Sequence, residues 1–258
     1  MTESAEALQA RYYEESAAAY DSMHNAHEDH EHNLALQYID MISNAFGLHS
    51  FLDVGAGTGR GVCFLRERGK DVRGIEPVAA MIAEAERHGV PPGVLVQGSG
   101  YELPFADGAF DTVFACGVMH HVAEPQRIVA EMLRVARRAV FISDSNRFGQ
   151  GGRAARLLKL ALYQCGLWPA ARFLQTGGKM YTVSEGDGLA YSYSVFDSYD
   201  QLAAGTQQIW VMPTASEQLH RRSWLHPLLT STHSLLCAFK EMPGKWKPVN
   251  PNTPERRN

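Results

Sequence analysis

The chain has 258 residues, 45% apolar and 20% charged, which suits one domain with additions and an ordinary buried core. Its 24 basic side chains face 28 acidic ones, and the formal charge of −4 argues against a protein that grips nucleic acid through a broad basic surface. No stretch approaches the roughly 20 apolar residues that span a bilayer, and the N-terminus lacks the basic start and apolar run of a secretion signal.

The first fifty residues read as helical. Leu8, Tyr12, Tyr13 and Tyr20 fall in a first helix, followed by a polar stretch with His24, His27, His30 and His32. From Ala35, the apolar positions Tyr38, Ile39, Ile42, Ala45 and Phe46 recur at three and four residues, one face of an amphipathic helix. From His49 the pattern changes to short apolar runs alternating with helical periods. Strands are expected at 51–54, 72–75, 94–96, 112–115 and 140–142. Helices are expected at about 59–68, 78–87 and 125–136, the last opened by Pro125, a residue the first helical turn tolerates. Such alternation implies right-handed βαβ units and a parallel sheet covered on both faces.

The alternation lapses over 147–194, which reads as a lid-like insertion with a helix at 153–163, and strands resume at 208–212 and 235–239. Phe148, Gly149 and Gly151 are expected to form the hinge of this insertion. Arg153, Arg156, Lys159 and Arg172 along it read as a solvated face, with contact to an anionic substrate or a membrane surface as the alternative. The expected organisation is a helical cap (1–47), a main domain (48–242) and a disordered, proline-rich tail (243–258). Cys63, Cys116, Cys165 and Cys237 are widely spaced, without a CxxC pair, as expected of reduced, buried thiols in a cytoplasmic protein.

The most informative segment is Asp53-Val54-Gly55-Ala56-Gly57-Thr58-Gly59-Arg60-Gly61, between a strand and a helix. Its glycines run GxGxG, not the GxGxxG of a dinucleotide fingerprint, and no Gly-Lys-Ser/Thr of a P-loop is present. That spacing speaks against a nicotinamide-dependent oxidoreductase. A second acid, Glu76, ends the next strand. Together these features resemble the donor site of class I S-adenosylmethionine-dependent methyltransferases. Gly98 to Phe105 is similar to that family's third ligand loop (GDAxxLPF), and Phe110–Val113 and Met119–Val122 are similar to its fourth strand and following loop. The likeness is strong over 48–143 and looks closest to the ubiquinone/menaquinone-type small-molecule branch.

The resemblance implies an α/β, Rossmann-like, doubly wound, mostly parallel seven-stranded sheet with an N-terminal helical cap and an insertion after the fifth strand. It implies S-adenosyl-L-methionine as cofactor, held by Asp53, Gly55, Ala56, Gly57, Thr58, Glu76, Pro77, Ser99, Gly100, Tyr101 and Cys116, with Glu76 accepting both ribose hydroxyls. Two positions depart from the family. Ser99 replaces the Asp that accepts from the adenine amino group, and Ala136-Arg137-Arg138-Ala139 replaces Lys-Pro-Gly-Gly, which is expected to shorten a turn.

For the chemistry, the similar phosphoethanolamine methyltransferases place a catalytic histidine after the fourth strand, beneath an N-terminal tyrosine. His121 and Tyr20 are the matching candidates, although Gly117 replaces that histidine's aspartate partner. Substrate contacts are expected from Tyr12, His120, Tyr181 and Tyr193, with Glu185, Asp187 and Tyr191 nearby. Plain core packing is the competing reading for the tyrosines, and packing or ligand contact, without a base role, is the competing reading for His120 and His121. The N-terminal histidines sit among Glu28, Asp29 and Glu31 and read as a solvated linker, so no metal is expected. The expected partner is a small-molecule acceptor for O-, N- or C-methylation, with no nucleic acid and no membrane span, in a monomer or homodimer. The alternative is a non-catalytic donor-binding protein on the same fold.

Overall fold

The computed structural model describes residues 5–23, 30–184, 188–215 and 226–241. His24, His27, Glu185, Asp187 and the tail expected at 243–258 lie outside the described residues.

Two helices lead, α1 (Ala5–Met23) and α2 (His30–Phe46). Then follow β1 (Ser50–Val54), α3 (Arg60–Arg66), β2 (Asp71–Glu76), α4 (Ala79–Arg87), β3 (Leu95–Gln97), β4 (Phe110–Cys116), α5 (Pro125–Val135) and β5 (Ala136–Ser145). Beyond them are α6 (Arg153–Gln164), α7 (Trp168–Gln175), the strands β6 (Tyr181–Ser184) and β7 (Gly188–Tyr191), α8 (Tyr199–Gly205), β8 (Gln208–Ala215), α9 (Pro227–Thr230) and β9 (His233–Phe239). Seven strands form one sheet in the order β3-β2-β1-β4-β5-β9-β8, and β6 and β7 pair as a separate hairpin. β1 to β5 pair in parallel, and β9 alone runs against its neighbours β5 and β8.

Strand alternation builds two cores from one sheet, because successive side chains point to opposite faces. Val113, Ala115, Val140, Ile142, Leu236 and Ala238 face α5 and α8, where Ile128, Val129, Met132 and Leu202 close that layer. Phe51, Val72, Phe114, Phe141, Leu235 and Phe239 face α2 and α3, with Leu36, Ile39, Ile42, Val62 and Leu65 opposite. The sheet is therefore covered on both faces, as βαβ alternation requires. On α2 the buried stripe is Ala35, Leu36, Ile39, Ile42 and Ser43, whereas Ala45, expected inside, lies exposed.

Three further expectations are corrected. Ala136–Ala139 is not a shortened turn but the start of β5, which follows α5 without a break. Without a Pro-Gly-Gly to bend the chain, Ala136 and Ala139 are buried, Arg137 pairs with Asp111, and Arg138 donates to the Phe46 and Gly47 carbonyls. Phe148 and Gly149 are an anchor rather than a hinge. Both are buried, the Asn146 amide holds the Leu228 and Ser231 carbonyls at 2.8 Å, and a Cβ on Gly149 would collide with the Ser231 carbonyl. Finally, only Cys237 of the four free thiols is fully buried, while Cys165, at the end of α6, is exposed.

Candidate active site

The sheet order reverses between β1 and β4, since β2 and β3 lie to one side and β5 to the other. Open α/β sheets bind ligands at such a switch point, outside the carboxyl ends of the strands. The glycine loop leaves β1 there, and His120 and His121 follow β4. A cleft of about 350 Å³ opens between them, lined among others by Gly55, Gly57, Glu76, Ser99, Tyr101 and His121. A smaller cavity beside it is lined by Asp53, Ala56, Thr58 and Arg60 and shares Tyr20, Gly55, Gly57 and Cys116 with the cleft.

The loop is shaped by left-handed backbone that only glycine adopts readily. Gly57 has φ +54°, and a side chain there would point at nothing nearer than the Met81 methyl, 3.6 Å away. Its N–H instead donates to Glu76 Oε2 at 3.0 Å, and the Val78 N–H donates to Oε1 at 3.0 Å. Glu76 thus ties the glycine loop to the turn after β2. Burial raises its pKa, against the two N–H groups that favour the charged form. A carboxylate has about four acceptor positions, so two remain after these bonds.

Asp53 is wholly buried behind the loop, within the smaller cavity. Burial, with a lesser push from Glu76, raises its pKa to about 8 in spite of the Arg60 charge. A Cβ on Gly61 would come within 2.5 Å of Asp53 Oδ2, which accounts for the fourth glycine of the run.

All eleven positions expected to hold the cofactor line one cavity or the other. Gly55, Gly57, Glu76, Pro77, Ser99, Gly100, Tyr101 and Cys116 border the main cleft, and Asp53, Ala56 and Thr58 the smaller one. Ser99 turns toward its own loop, its Oγ accepting from the Tyr101 N–H at 3.2 Å.

His121 and Tyr20 both border the cleft. His121 Nδ1 lies 2.8 Å from the Leu189 carbonyl and 3.2 Å from Gln9 Nε2; the carbonyl is the nearer and can only accept, so in that bond Nδ1 donates and the lone pair falls on Nε2. Leu189 belongs to β7, and its N–H donates to Gln9 Oε1 on α1 at 2.5 Å. Three segments far apart in the chain therefore meet at one imidazole. Tyr13, also in the cleft wall, stands edge-on to His121 and to Tyr20, with ring centroids 5.9 Å from each.

His120 takes a different place. Its Nδ1 donates to Asp144 Oδ1 at 2.8 Å, and the Met119 and Ser145 N–H groups also bond to that fully buried carboxylate. Burial pushes the Asp144 pKa up, but the charge and hydrogen bond of His120 outweigh it and hold the carboxyl below its usual range. The imidazoles of His120 and His121 lie 3.9 Å apart, centroid to centroid.

The other expected substrate contacts fall outside the cleft wall. Tyr193 is a core residue on the α5 side of the sheet, its hydroxyl 2.6 Å from Ser198 Oγ. Tyr181 stands edge-on to Tyr191 within the β6–β7 hairpin, and Tyr12 packs over Gly188, where a Cβ would come within 2.7 Å of its ring. Gln9 and Asp144 went unnamed at the sequence level, and Tyr13 was read only as an aromatic of the first helix. Gln9, Tyr13 and Tyr20 recur at four and seven residues, the spacing of one helix face, and that was the available signal for α1. Nothing local marks Asp144.

Residues 52–142 match the methyltransferase-domain family, and over these residues the chain is similar to it. An uncharacterized methyltransferase of Mycolicibacterium gilvum is 33% identical over 153 residues, covering 55% of this chain and 60% of the relative. One of Mycobacterium marinum is 31% identical over the same shares. The chain thus spans about three-fifths of the length of these relatives. In fold it is similar to a magnesium protoporphyrin IX methyltransferase from Synechocystis PCC 6803 with bound S-adenosylmethionine (TM-score 0.60, 13% identity, 93% of this chain and 99% of that one). A possible histamine N-methyltransferase from Thermotoga maritima gives a TM-score of 0.58 at 16% identity, over 90% of this chain and 99% of that one.

The methyltransferase donor suits the residues present. The cleft falls within the range of about 300–1,000 Å³ usual for small-molecule sites, Gly57 presents bare backbone to it, and Glu76 keeps acceptor positions for a sugar diol.

Proposed function

We propose that this chain transfers a methyl group from S-adenosyl-L-methionine to the oxygen, nitrogen or carbon of a small-molecule acceptor. The observation that carries the reading is the facing of two unlike walls across one cleft: a glycine loop fastened to Glu76 on one side, and His121 held by the Leu189 carbonyl on the other.

The bound donor supplies an electrophilic methyl on a sulfonium: the sulfur–carbon bond breaks, sulfur keeps the electron pair, and the acceptor atom gains the methyl. Glu76 would hold the donor by its ribose, and the bare Gly55–Gly57 backbone would let it lie close. Positioning matters because in-line displacement needs the reacting atoms about 3–3.5 Å apart. For an acceptor that must lose a proton, His121 receives it at Nε2, the nitrogen left with a lone pair when Nδ1 donates to Leu189. General-base catalysis of this kind contributes about 10²–10⁴-fold. Tyr13 and Tyr20 roof the cleft from α1, and His120, braced by Asp144, packs behind His121 and limits its rotation. A formal charge of −4 favours a small acceptor over a polyanion.

The test is His121→Gln. Turnover should fall about 10²-fold or more with affinity for S-adenosylhomocysteine unchanged, once a metabolite screen with isotopically labelled donor has identified the acceptor. Unchanged turnover would remove the base assignment. Donor binding with no labelled product from any extract would favour a non-catalytic donor-binding protein.

A further inference from the structure

The α6–α7 hairpin is amphipathic in the wrong sense for a helix pair that packs on a protein. Neither helix has a fully buried residue. On α6, Leu157 and Leu158 are 59% and 60% exposed, in line with exposed Ala154 and Ala161 at three- and four-residue spacing. On α7, Phe173 and Leu174 are 56% and 81% exposed, following Ala170 on the same outward face.

The cations expected to form a solvated face mostly turn inward instead. Lys159 Nζ donates to the Arg147 and Gln150 carbonyls at 3.0 and 3.2 Å, Arg156 donates to the Gly151 and Leu229 carbonyls, and Arg172 is partly buried. Arg153 and Lys179 are exposed at the edges of the hairpin. Between Asp144 and Glu185 the sequence holds six cations and no acid, in a chain whose formal charge is −4; Arg147 is buried and paired with Asp197, and Arg153 and Lys179 are the two that stand exposed. The positive charge and the outward apolar side chains are thus concentrated in the same segment, which springs from the end of β5 on the edge of the sheet where the cleft opens.

That pairing selects the occupant. An anionic bilayer surface offers headgroup charge to the cations and an acyl boundary to the leucines, the two terms that set the affinity of interfacial helices. A second copy of the chain fits worse, because a two-fold contact would oppose two acid-free segments of equal charge. No helix among the described residues is long and apolar enough to cross a membrane, so the contact is interfacial. We propose that the α6–α7 hairpin docks this protein on an anionic lipid surface, with Leu157, Leu158, Phe173 and Leu174 in the headgroup layer and Arg153 and Lys179 on the lipid charges.

The experiment is co-sedimentation of the full chain with vesicles of phosphatidylcholine alone or of phosphatidylcholine and phosphatidylglycerol at 3:1. The expected result is binding to the mixed vesicles at least tenfold tighter than to phosphatidylcholine alone. Leu157→Ser with Leu158→Ser should weaken it tenfold or more, and Arg153→Gln and Lys179→Gln about fivefold each. Melting temperature and S-adenosylhomocysteine affinity should stay at wild-type values, since these side chains touch neither core nor cleft. Failure of the wild type to bind mixed vesicles, or undiminished binding by the leucine variant, overturns the proposal. So does a dimer, in sedimentation equilibrium without lipid, that the leucine substitutions dissociate, which would make the face a contact between copies. No turnover enters these measurements, so they stand apart from the methyl-transfer reading.

Discussion

Replacement of Glu76 by Gln probes the proposed donor site where its geometry is most constrained. The side chain is 5% exposed and accepts two backbone N–H groups at 3.0 Å, from Gly57 and Val78. An amide keeps one acceptor oxygen and turns its NH₂ toward the other donor, so one buried N–H loses its partner at a cost of about 1–3 kcal/mol. Relief from burying a charge offsets part of this, because burial raises the pKa of the native carboxyl. A melting temperature lower by only a few degrees is expected for a domain of this size. Donor affinity should suffer more. A carboxylate accepting two hydroxyls contributes about 1.5–3 kcal/mol for each bond, and the amide retains one neutral bond of about 1 kcal/mol. The net loss is about 2–5 kcal/mol, or roughly 30- to 4,000-fold in Kd. Titration calorimetry with S-adenosylhomocysteine at pH 8, alongside thermal melts without ligand, measures both terms. The variant's affinity should also be less sensitive to acidification than the wild type's, whose raised carboxyl protonates above the ordinary range. An affinity within threefold of wild type would refute the idea that Glu76 clasps the ribose.

Three other expectations are open to direct measurement. Ser99→Asp should restore a charged acceptor toward the adenine amino group and raise S-adenosylhomocysteine affinity about fivefold, the difference between a neutral and a charge-assisted hydrogen bond; a weaker or unchanged Kd would place the adenine elsewhere. Asp53 has its pKa raised by burial to about 8, so the stability of its neutral form is fully present below about pH 4 and is lost as pH rises toward 8. Relative to Asp53→Asn, the wild type should therefore lose roughly 1.4 kcal/mol per pH unit across that interval in urea unfolding, whereas parallel pH profiles would show that Asp53 ionises normally. Asp144→Ala should lower the unfolding free energy by about 3–5 kcal/mol, since the Met119 and Ser145 N–H groups and His120 all lose a buried acceptor; a loss under 1 kcal/mol in the same assay would show that His120 needs no such brace.

The parts legible without a structure are those that a few neighbouring residues dictate. Short apolar runs such as 112–115 become strands buried on both faces, and the 125–136 period becomes a helix opened by Pro125. The GxGxG run after β1 demands left-handed backbone at fixed places, and a carboxylate at the next strand's end can reach it. Hence the glycine loop and Glu76 could be named from local pattern alone. His121 was reachable by likeness, through its position after the fourth strand.

The rest depended on pairings between distant segments. Gln9 meets Leu189 across 180 positions, and His121 meets the same strand across 68; no local spacing encodes either contact. Asp144 reads as one more residue at a strand end until β4 and β5 bring it under His120. Tyr193 and Tyr181 have the chemistry of substrate contacts, and only burial and pairing assign them to the core and to the β6–β7 hairpin. The reversed hairpin follows the same logic. Periodicity shows that α6 and α7 have two unlike faces, but which face turns outward is decided by the carbonyls of Arg147, Gln150, Gly151 and Leu229, which capture the cations and leave the leucines outside.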